Sequence, residues 1–323
     1  MKIKLQTKKY SINTNKNILK LTPNNDGIWK DFNFIINNED EYEEEIDYLV
    51  VFEGIDTDIK IQNVNYDLIF IAGESESIKK YNKDFLNQFD HIITCQRSIS
   101  HPSKFYSPSG HTWFINKTYN ELKRIIDVPK TKLLSIIVSN KVTTKGHRKR
   151  LEFCLKLKKE FGNQVDLFGR GFNEFDDKWD VLAPYKYSIS IENSNEKDWI
   201  TEKIGDCFLA HTFPFYSGAP NIENYFNKGS YLIINLDDFE ASYINIKKIL
   251  EDKNFYQNSL SSLKESKNKY MDSYTMIPIV HELIKSKLKI KEKNRRNIII
   301  KKESINLFDK ILIIKKRLMD KLL

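Results

Sequence analysis

Hydrophobic residues in the first part of the chain come in short runs, the length typical of strands buried inside a sheet. Such runs lie at 48–52, 68–72 and 91–94, and residues 78–89, between the last two, have helical spacing. Strands that alternate with helices in this way indicate the parallel sheet of an α/β domain. Residues 1–36 show no clear pattern.

A second series of the same kind begins after residue 130. Residues 98–113, rich in Ser, Pro, Gly and His, predict a long loop before it, and 127–131 predict a linker. The predicted elements of the second series are strands at 133–139, 165–168, 187–191, 213–216 and 231–236 and helices at 147–161, 201–211, 244–250 and 259–270. The two series predict two Rossmann-like domains, residues 1–130 and 131–284, that face a cleft.

The last segment, residues 285–323, has a different pattern. Residues 298–323 have helical spacing: most of their lysines and arginines lie on other faces than an apolar stripe made of Ile300, Leu307, Ile311, Ile314, Leu318 and Leu322. Residues 285–323 hold 14 Lys and Arg against 4 Asp and Glu, whereas the remaining chain holds 38 against 40. We therefore predict a basic amphipathic tail helix, suited to an anionic membrane surface. The same helix would also fit against the protein body or in a homodimer.

Composition narrows the class of protein. A chain of 323 residues with 40% hydrophobic and 30% charged residues is typical of a globular protein with two domains. Because the net charge of +8 belongs to the tail, the body has no excess of positive charge to indicate a nucleic-acid groove, and we expect no nucleic-acid partner. Cys95, Cys154 and Cys207 are scattered, which favours reduced thiols over a disulfide framework or a zinc site. The polar start and the absence of a long apolar run predict a cytoplasmic chain without a signal peptide or spanning helix.

The segment 185–239 carries the densest chemistry. An apolar strand ends in Glu192-Asn193, and after a short polar loop a helix opens with Thr201-Glu202-Lys203. Backbone N–H groups at a helix start favour bound phosphate, and Lys203 adds a positive charge there. The pattern therefore indicates a site for the diphosphate of a nucleotide sugar.

This segment resembles glycosyltransferase family 10, the α-1,3/1,4-fucosyltransferase family. The resemblance rests on the string SISIENSNEKDWITEKIGDCFLAHTFPFYSGAPN, is weaker over 133–171 and is sparse in the first 130 residues. It implies a GT-B fold, a GDP-sugar donor held by the second domain, an inverting mechanism and no obligatory cofactor or catalytic metal. Asp56-Thr57-Asp58 matches the Asp-x-Asp metal motif of the other glycosyltransferase fold, but so short a match is common by chance, and we assign no metal ligand.

The resemblance also suggests residues for the donor site. Lys203 would neutralise the diphosphate, and Glu202 would accept hydrogen bonds from sugar hydroxyls. Glu192 and Asn193 are assigned to the ribose or to positioning of the loop. Trp199 stands where the family most often has Tyr, so no contact through a phenol hydroxyl is expected there.

Three further donor-site residues lie upstream of this segment. Ser139-Asn140 closes a predicted strand, and His147-Arg148-Lys149-Arg150 opens the next helix. In the family, an arginine near this helix start grips the diphosphate, and arginine suits bidentate phosphate binding. Spacing favours Arg148, with Arg150 as the alternative. The glycine turn at 168–171 is expected near the base or the phosphates of the donor. The turn at 218–221 is expected either to contact the sugar directly or to be purely structural.

An inverting transfer needs a general base to accept the proton of the acceptor hydroxyl. Glu74 ends a predicted strand of the first domain in a Gly-Glu pair like that of the family, and Glu76 is the alternative. His101, His111 and Trp113, in the polar loop, are candidates for acceptor contacts or for structural roles.

Together these features predict an inverting glycosyltransferase. Fucose transfer from GDP-fucose to a glycan hydroxyl, of α-1,3 type, in cell-surface polysaccharide or lipopolysaccharide synthesis is the function that we expect. The acceptor is a glycan that can be lipid-linked, and the expected location is the inner face of the membrane, with peripheral attachment through the tail. The alternatives are transfer of another nucleotide-activated sugar and a non-catalytic glycan- or membrane-binding module.

Overall fold

The computed structural model describes residues 1–8, 14–36, 41–288 and 294–304. The strands are β1 (Lys2–Thr7), β2 (Ile28–Trp29), β3 (Phe32–Ile36), β4 (Glu41–Tyr42), β5 (Tyr48–Phe52), β6 (Ile59–Val64), β7 (Leu68–Ile71), β8 (His91–Thr94), β9 (Lys104–Tyr106), β10 (Lys132–Ile137), β11 (Val165–Phe168), β12 (Tyr185–Ile191), β13 (Phe213–Ser217), β14 (Leu232–Ile233) and β15 (Arg296–Ile300). The helices are α1 (Thr14–Leu19), α2 (Lys83–Leu86), α3 (Tyr119–Arg124), α4 (Lys145–Phe161), α5 (Glu202–Leu209), α6 (Phe239–Glu251), α7 (Phe255–Ser273) and α8 (Met276–Glu282), and a π-helical turn, Leu283–Lys287, follows α8.

Two mainly parallel sheets form the body of the protein. The first sheet has the strand order β2-β3-β1-β5-β7-β8-β9, in which only β2 and β3 are antiparallel. The second sheet has the order β11-β10-β12-β13-β14 and is entirely parallel. One hydrophobic cluster contains residues of both sheets, such as Val50 and Phe215. The sheets therefore share a core, and loops at their edges can meet in a cleft.

The second domain follows its sequence pattern closely. Strand β12 is buried on both faces, as expected for the middle of a parallel sheet. Helix α5 packs tightly on α7, because a Cβ at Gly205 would lie 2.2 Å from the ring of Tyr270. Only glycine allows this approach, which fixes the position of the helix that begins at Glu202.

The first domain departs from its predicted elements in two places. The helix predicted at 78–89 is only α2, which begins after Asn82, whose side chain accepts a hydrogen bond from Asp84 N. The predicted loop at 98–113 contains the edge strand β9. Residues 1–36, without a clear pattern, hold strand β1, which lies between β3 and β5.

The chain returns to the first domain after α7. His281 in α8 and Lys285 both contact Asp31, at 3.2 and 2.5 Å, and β15 pairs antiparallel with β6. The prediction of a helix from Ile298 is therefore wrong for residues 298–304, because 301–304 have no regular structure and 298–300 belong to β15. In that strand Ile300 is buried while Ile299 is 61% exposed, an alternation typical of an edge strand. The rest of the predicted tail helix, from residue 305 onward, lies outside the described residues. Among the described helices, none is long and apolar enough to cross a membrane.

Candidate active site

A cavity of about 400 Å³ lies at the carboxyl ends of strands β10 and β12 in the second sheet. This is the edge at which open α/β sheets bind ligands. Its wall combines residues of the second domain with Phe114 from the first domain, so it opens into the cleft between them. The charged and polar side chains that line it are Ser139, Arg150, Arg170, Asp176, Lys178, Ser188, Ser190, Glu202 and Lys203.

Lys203 lies in the first turn of α5 and is held by two carboxylates. Its Nζ is 3.1 Å from Glu192 and 3.5 Å from Glu202, and it donates to Thr201 Oγ1 at 3.1 Å. Burial disfavours the charged ammonium, but both carboxylates outweigh it and raise the pKa of Lys203. A helix start repels a cation, so this positive charge depends on its neighbours and stays present across the physiological pH range.

Glu192 organises the start of α5. Its buried carboxylate accepts from Thr201 N at 3.0 Å and from Thr201 Oγ1 at 2.8 Å, and Thr201 is the N-cap of α5. Glu192 does not line the cavity. Of the two roles expected for it, the geometry supports positioning of the loop rather than contact with the ribose.

Glu202 is buried in the cavity wall, and it is charged. Burial raises its pKa, but Lys203, Lys178 and His111 together lower the pKa of Glu202 to about 2. A carboxylate that stays ionised inside a cavity is a strong hydrogen-bond acceptor. The arrangement therefore supports the expected role of accepting hydrogen bonds from sugar hydroxyls.

The structure reverses the order of the two arginine candidates. Arg148 is exposed and donates to Val142 O at 2.9 Å, away from the cavity. Arg150 is 8% exposed, lines the cavity and donates to Asn193 Oδ1 at 2.6 Å. Its buried Nε has no partner among the described residues. Helical spacing alone does not show which arginine faces the sheet edge, and the preference for Arg148 is therefore corrected to Arg150.

Asn193 positions Arg150 rather than lining the cavity. Besides accepting from the guanidinium, it brings the β12 end against α4, because a Cβ at Gly146 would lie 2.4 Å from Asn193 O. The arginine is thereby attached to the loop that also carries Glu192.

Lys178 and Asp206 form a buried ion pair that the sequence analysis missed. They are 2.8 Å apart, with side chains 10% and 0% exposed. Asp206 also accepts from Phe114 N of the first domain at 3.2 Å, and burial raises its pKa to about 6. The one signal in the sequence was the i, i+4 spacing of Asp206 from Glu202, which places both carboxylates on the same face of α5. This pair connects the two domains behind the cavity.

The two short segments at the rim of the cavity have different roles. Ser139 lines it, whereas Asn140 is exposed and packs on Gly171, where a Cβ would lie 2.3 Å from Asn140 Nδ2. Gly171 has a positive φ of 81°, so glycine is required here on both grounds. Asn140 therefore shapes the rim, and Arg170 of the same glycine turn lines the cavity.

Trp199 lies at the domain boundary, outside the cavity wall. It is 2% exposed and packs edge-on against His111 of the first domain, with ring centroids 5.5 Å apart. His111 also lies 4.0 Å from Glu53. Trp199 thus packs against His111 in the cleft, and it does not line the cavity in which the sugar donor is expected to bind.

Glu74 faces the cavity side from the first domain. It lies just after β7, and within the described part of the chain no donor contacts its carboxylate. Burial and the neighbouring Glu53 raise the pKa of Glu74, which His111 and Lys203 oppose. Glu76, by contrast, pairs with Lys80 at 3.6 Å and is 33% exposed. The geometry favours Glu74 over Glu76 as a base.

Two of the three acceptor candidates have structural roles. His101 contacts Ser103 O at 2.9 Å and Phe89 O at 3.1 Å, and Trp113 is fully buried with its Nε1 donating to Lys117 O. The ring nitrogens of His101 and Trp113 thus bond to backbone carbonyls of the first domain. Of the three candidates, only His111 reaches the cleft.

The loop formed by residues 194–201, between β12 and α5, contacts the first domain. Asp198 has a positive φ of 63° and pairs with Arg97 of the first domain, while Asn221 donates to it at 2.6 Å. Glu196 accepts from Glu76 N at 3.0 Å and from Ser77 N at 3.3 Å. The turn at 218–221 therefore has a structural role in holding this loop.

The described residues contain no cluster of three His, Cys, Asp or Glu side chains that could hold a metal ion. Asp58, from the Asp-x-Asp match, accepts from Lys302 N at 2.9 Å. The three cysteines are buried, and burial raises the pKa of each thiol to about 12.

Comparison with known proteins agrees with this geometry. Residues 128–276 match the sequence model of glycosyltransferase family 10 (fucosyltransferase), C-terminal part. The chain is 33% identical over 172 residues to 4-galactosyl-N-acetylglucosaminide 3-alpha-L-fucosyltransferase 9 of Mus musculus, covering 51% of this chain and 45% of that protein. It is 32% identical over 92 residues to an alpha-(1,3)-fucosyltransferase of Helicobacter pylori, covering 27% of this chain and 19% of that protein. The chain thus spans less than half the length of these relatives.

Solved structures confirm the expected fold. Crystal structures of an alpha1,3-fucosyltransferase, alone and with GDP, superpose with a TM-score of 0.52 at 17% identity. The first covers 86% of this chain and 91% of its own. The chain has the GT-B fold, and its residues 128–276 are similar to the C-terminal part of glycosyltransferase family 10, the fucosyltransferase family.

Proposed function

We propose that this chain is an inverting fucosyltransferase that moves fucose from GDP-fucose to a glycan hydroxyl. One observation carries the proposal: the carboxylate of Glu74, which has no partner within the described residues, lies across the cleft from a cavity lined by Arg150, Lys178 and Lys203. The names of the relatives support fucose as the sugar and an α-1,3 linkage, and GDP in one related crystal structure supports the nucleotide.

The proposed reaction is a single displacement. The acceptor oxygen bonds to C1 of the sugar while the bond from C1 to the phosphate oxygen breaks, so the configuration at C1 inverts. The hydroxyl proton passes to Glu74, whose raised pKa suits a base that works near neutral pH. The electron pair leaves with GDP, whose added negative charge Arg150 and Lys203 would stabilise.

The remaining residues would act in the ground state. Glu202 would accept from sugar hydroxyls, and Ser139 and Arg170 at the rim would contact the nucleotide. No cofactor is proposed, since the side-chain cations can supply the positive charge that a metal would otherwise provide. Cell-surface polysaccharide or lipopolysaccharide synthesis, with peripheral attachment at the inner membrane face, remains the proposed setting.

A panel of nucleotide sugars tests the donor. GDP and GDP-fucose are expected to raise the melting temperature more than UDP or UDP-glucose, and purified protein is expected to transfer fucose to a glycan acceptor. Stabilisation by UDP alone would contradict the donor. Transfer of another sugar from GDP would contradict only the fucose assignment, and binding of neither nucleotide would favour a non-catalytic module.

The variant Glu74→Gln tests the base. It keeps the size of the side chain and removes its basicity, so transfer should fall by on the order of 100-fold or more while GDP binding is retained. Inversion is checked separately by NMR of the anomeric configuration of the product, and retention of configuration would exclude the single displacement.

A further inference from the structure

The loop that carries Glu74, residues 74–82, has little regular structure of its own. The short helix α2 begins only after Asn82, and Ser75 O accepts from the N–H groups of Ile78 and Lys79. A base must be held within hydrogen-bond reach of its proton. Contacts from other segments must therefore fix the loop.

One anchor comes from the neighbouring strand. Gln96, 1% exposed, donates its side-chain amide to Glu74 O at 2.8 Å and to Lys79 O at 2.9 Å. Both backbone carbonyls belong to the loop, so this amide joins the residue that carries the base to one five positions later.

A second anchor comes from the far end of the described chain. Glu303 forms an ion pair with Lys79 at 2.8 Å, and its other oxygen accepts from Asn82 N at 2.7 Å. The side chains of Lys79 and Glu303 are 24% and 15% exposed. Lys79 in turn donates to Glu53 O at 3.2 Å. The pair is thus partly buried and tied to the strand end next to Glu74.

We propose that Glu303 is a positioning residue for Glu74, supplied to the first domain by the C-terminal segment 294–304. This inference rests on the proposed function, because it takes Glu74 as the base. Strand β15 pairs with β6 and brings Glu303 to the loop, where Glu303 contacts Lys79 and Asn82. The C-terminal segment is in this sense part of the active-site scaffold.

The proposal is tested with Glu303→Ala and Glu303→Gln in the full chain, with Asp58→Ala as matched control. Asp58 accepts from Lys302 N, the residue before Glu303, but has no contact with the loop among the described residues. Glu303→Ala should lower kcat by about tenfold or more, since a shift of about 1 Å at a reacting group costs on the order of 100-fold. Glu303→Gln keeps an acceptor for Asn82 N and should lose no more than about threefold. Asp58→Ala should keep the kcat of the parent.

Two readouts separate positioning from general stability. KM for the donor should not change in Glu303→Ala, because Arg150 and Lys203 belong to the second domain. The acid limb of the pH profile of kcat/KM should move to lower pH, since a loosened loop exposes Glu74 to water. The charged and titratable groups that face Glu74 are Glu53, His111 and Tyr81 from its own domain and Glu202 and Lys203 across the cleft, and none of them is changed by the variant.

The outcomes separate the inference from the proposed function. Glu303→Ala with parental kcat and an unmoved acid limb, while Glu74→Gln is inactive, overturns the positioning role alone. Glu74→Gln with full activity overturns the base assignment and this inference with it. Equal losses in Asp58→Ala and Glu303→Ala would also overturn it, because they would show that only attachment of the C-terminal segment matters.

Discussion

The two sides of the cleft are built in different ways. On the side of the second domain, Glu192, Thr201, Glu202 and Lys203 lie within one stretch of sequence, and Lys203 forms ion pairs with both carboxylates. On the side of the first domain, Glu74 forms no ion pair in the part of the chain that the structure describes, and its surroundings come from distant segments, through Gln96, His111 and Glu303. A site that must bind a highly charged diphosphate benefits from fixed, paired charges, whereas a base must keep its carboxylate free for a proton.

Breaking the buried pair behind the cavity should have the largest effect. Lys178→Ala leaves the charge of Asp206 buried without its partner, and we expect a loss of about 3–5 kcal/mol in the free energy of unfolding. Urea denaturation measures it. Lys228→Ala, which removes an exposed ion pair with Glu223, is the control and should leave the urea midpoint nearly unchanged. Equal midpoints for the two variants would show that the pair does not hold the domains.

The next largest effect is expected when the pH is lowered, because the charge of Glu202 contributes to the free energy of unfolding. The pKa of Glu202 is lowered to about 2 in the folded protein, against an ordinary 4.5. Its charged form therefore stabilises the fold above pH 4.5, and this contribution, about 3 kcal/mol, is lost as the pH falls from 4.5 towards 2.

The measurement is the free energy of unfolding of the parent and of Glu202→Gln between pH 7 and pH 3. The parent should lose stability more steeply on the acid side, so that the two curves approach each other. Asp206 titrates in the opposite sense between about pH 6 and its ordinary 3.8, and its raised pKa depends in part on the charge of Glu202, so the two proteins are compared below pH 3.8. Parallel curves would contradict the charged state assigned to Glu202.

The two arginines give a matched comparison within one helix. Arg150→Ala should lower kcat/KM for the donor by on the order of 100-fold, because it removes a buried cation from the cavity in which we propose that the diphosphate binds. Arg148→Ala removes the same charge two residues earlier on the exposed face and should change kcat/KM by less than about twofold. Steady-state kinetics with GDP-fucose checks both, and the reverse result would restore Arg148 as the phosphate ligand.

A smaller effect should distinguish the acceptor side. His111→Phe keeps the ring packing on Trp199 and Phe52 and removes the two ring nitrogens. We expect about a tenfold rise in KM for the acceptor, on the scale of one lost hydrogen bond to a charged or polar group, with KM for the donor unchanged. A change in donor KM instead would assign His111 to the donor side of the cleft.

The success of the sequence prediction differs between the two domains. In the second, the predicted strands coincide with β10 to β14 to within a few residues, because each is a short apolar run in a sheet whose neighbours are also buried. In the first domain, strand β1 (Lys2–Thr7) contains polar residues, and two of them, Lys4 and Gln6, are buried. A strand with so mixed a pattern is not recognisable from hydrophobicity alone.

The candidate site shows the same limit at the level of single residues. Lys203 and Glu202 could be predicted because their place in a helix start is local information. Two features depend on how α4 and α5 are rotated against the sheet. One is that Arg150, rather than Arg148, faces the cavity, and the other is the ion pair of Lys178 with Asp206. The spacing of residues along a helix does not fix its rotation against the sheet, whereas the close packing at Gly146 and Gly205 does.

The amino-acid sequence by itself determined the fold class and the half of the cleft around Thr201-Glu202-Lys203, since both follow from local periodicity and from residues adjacent in the chain. The tertiary structure decided which arginine faces the cavity, placed Glu74 where no described residue pairs with its carboxylate, and brought Glu303 to the loop that carries it. The physical reason is sequence separation. Contacts between residues that lie far apart in the chain exist only once both sheets and the returning C-terminal strand have packed together.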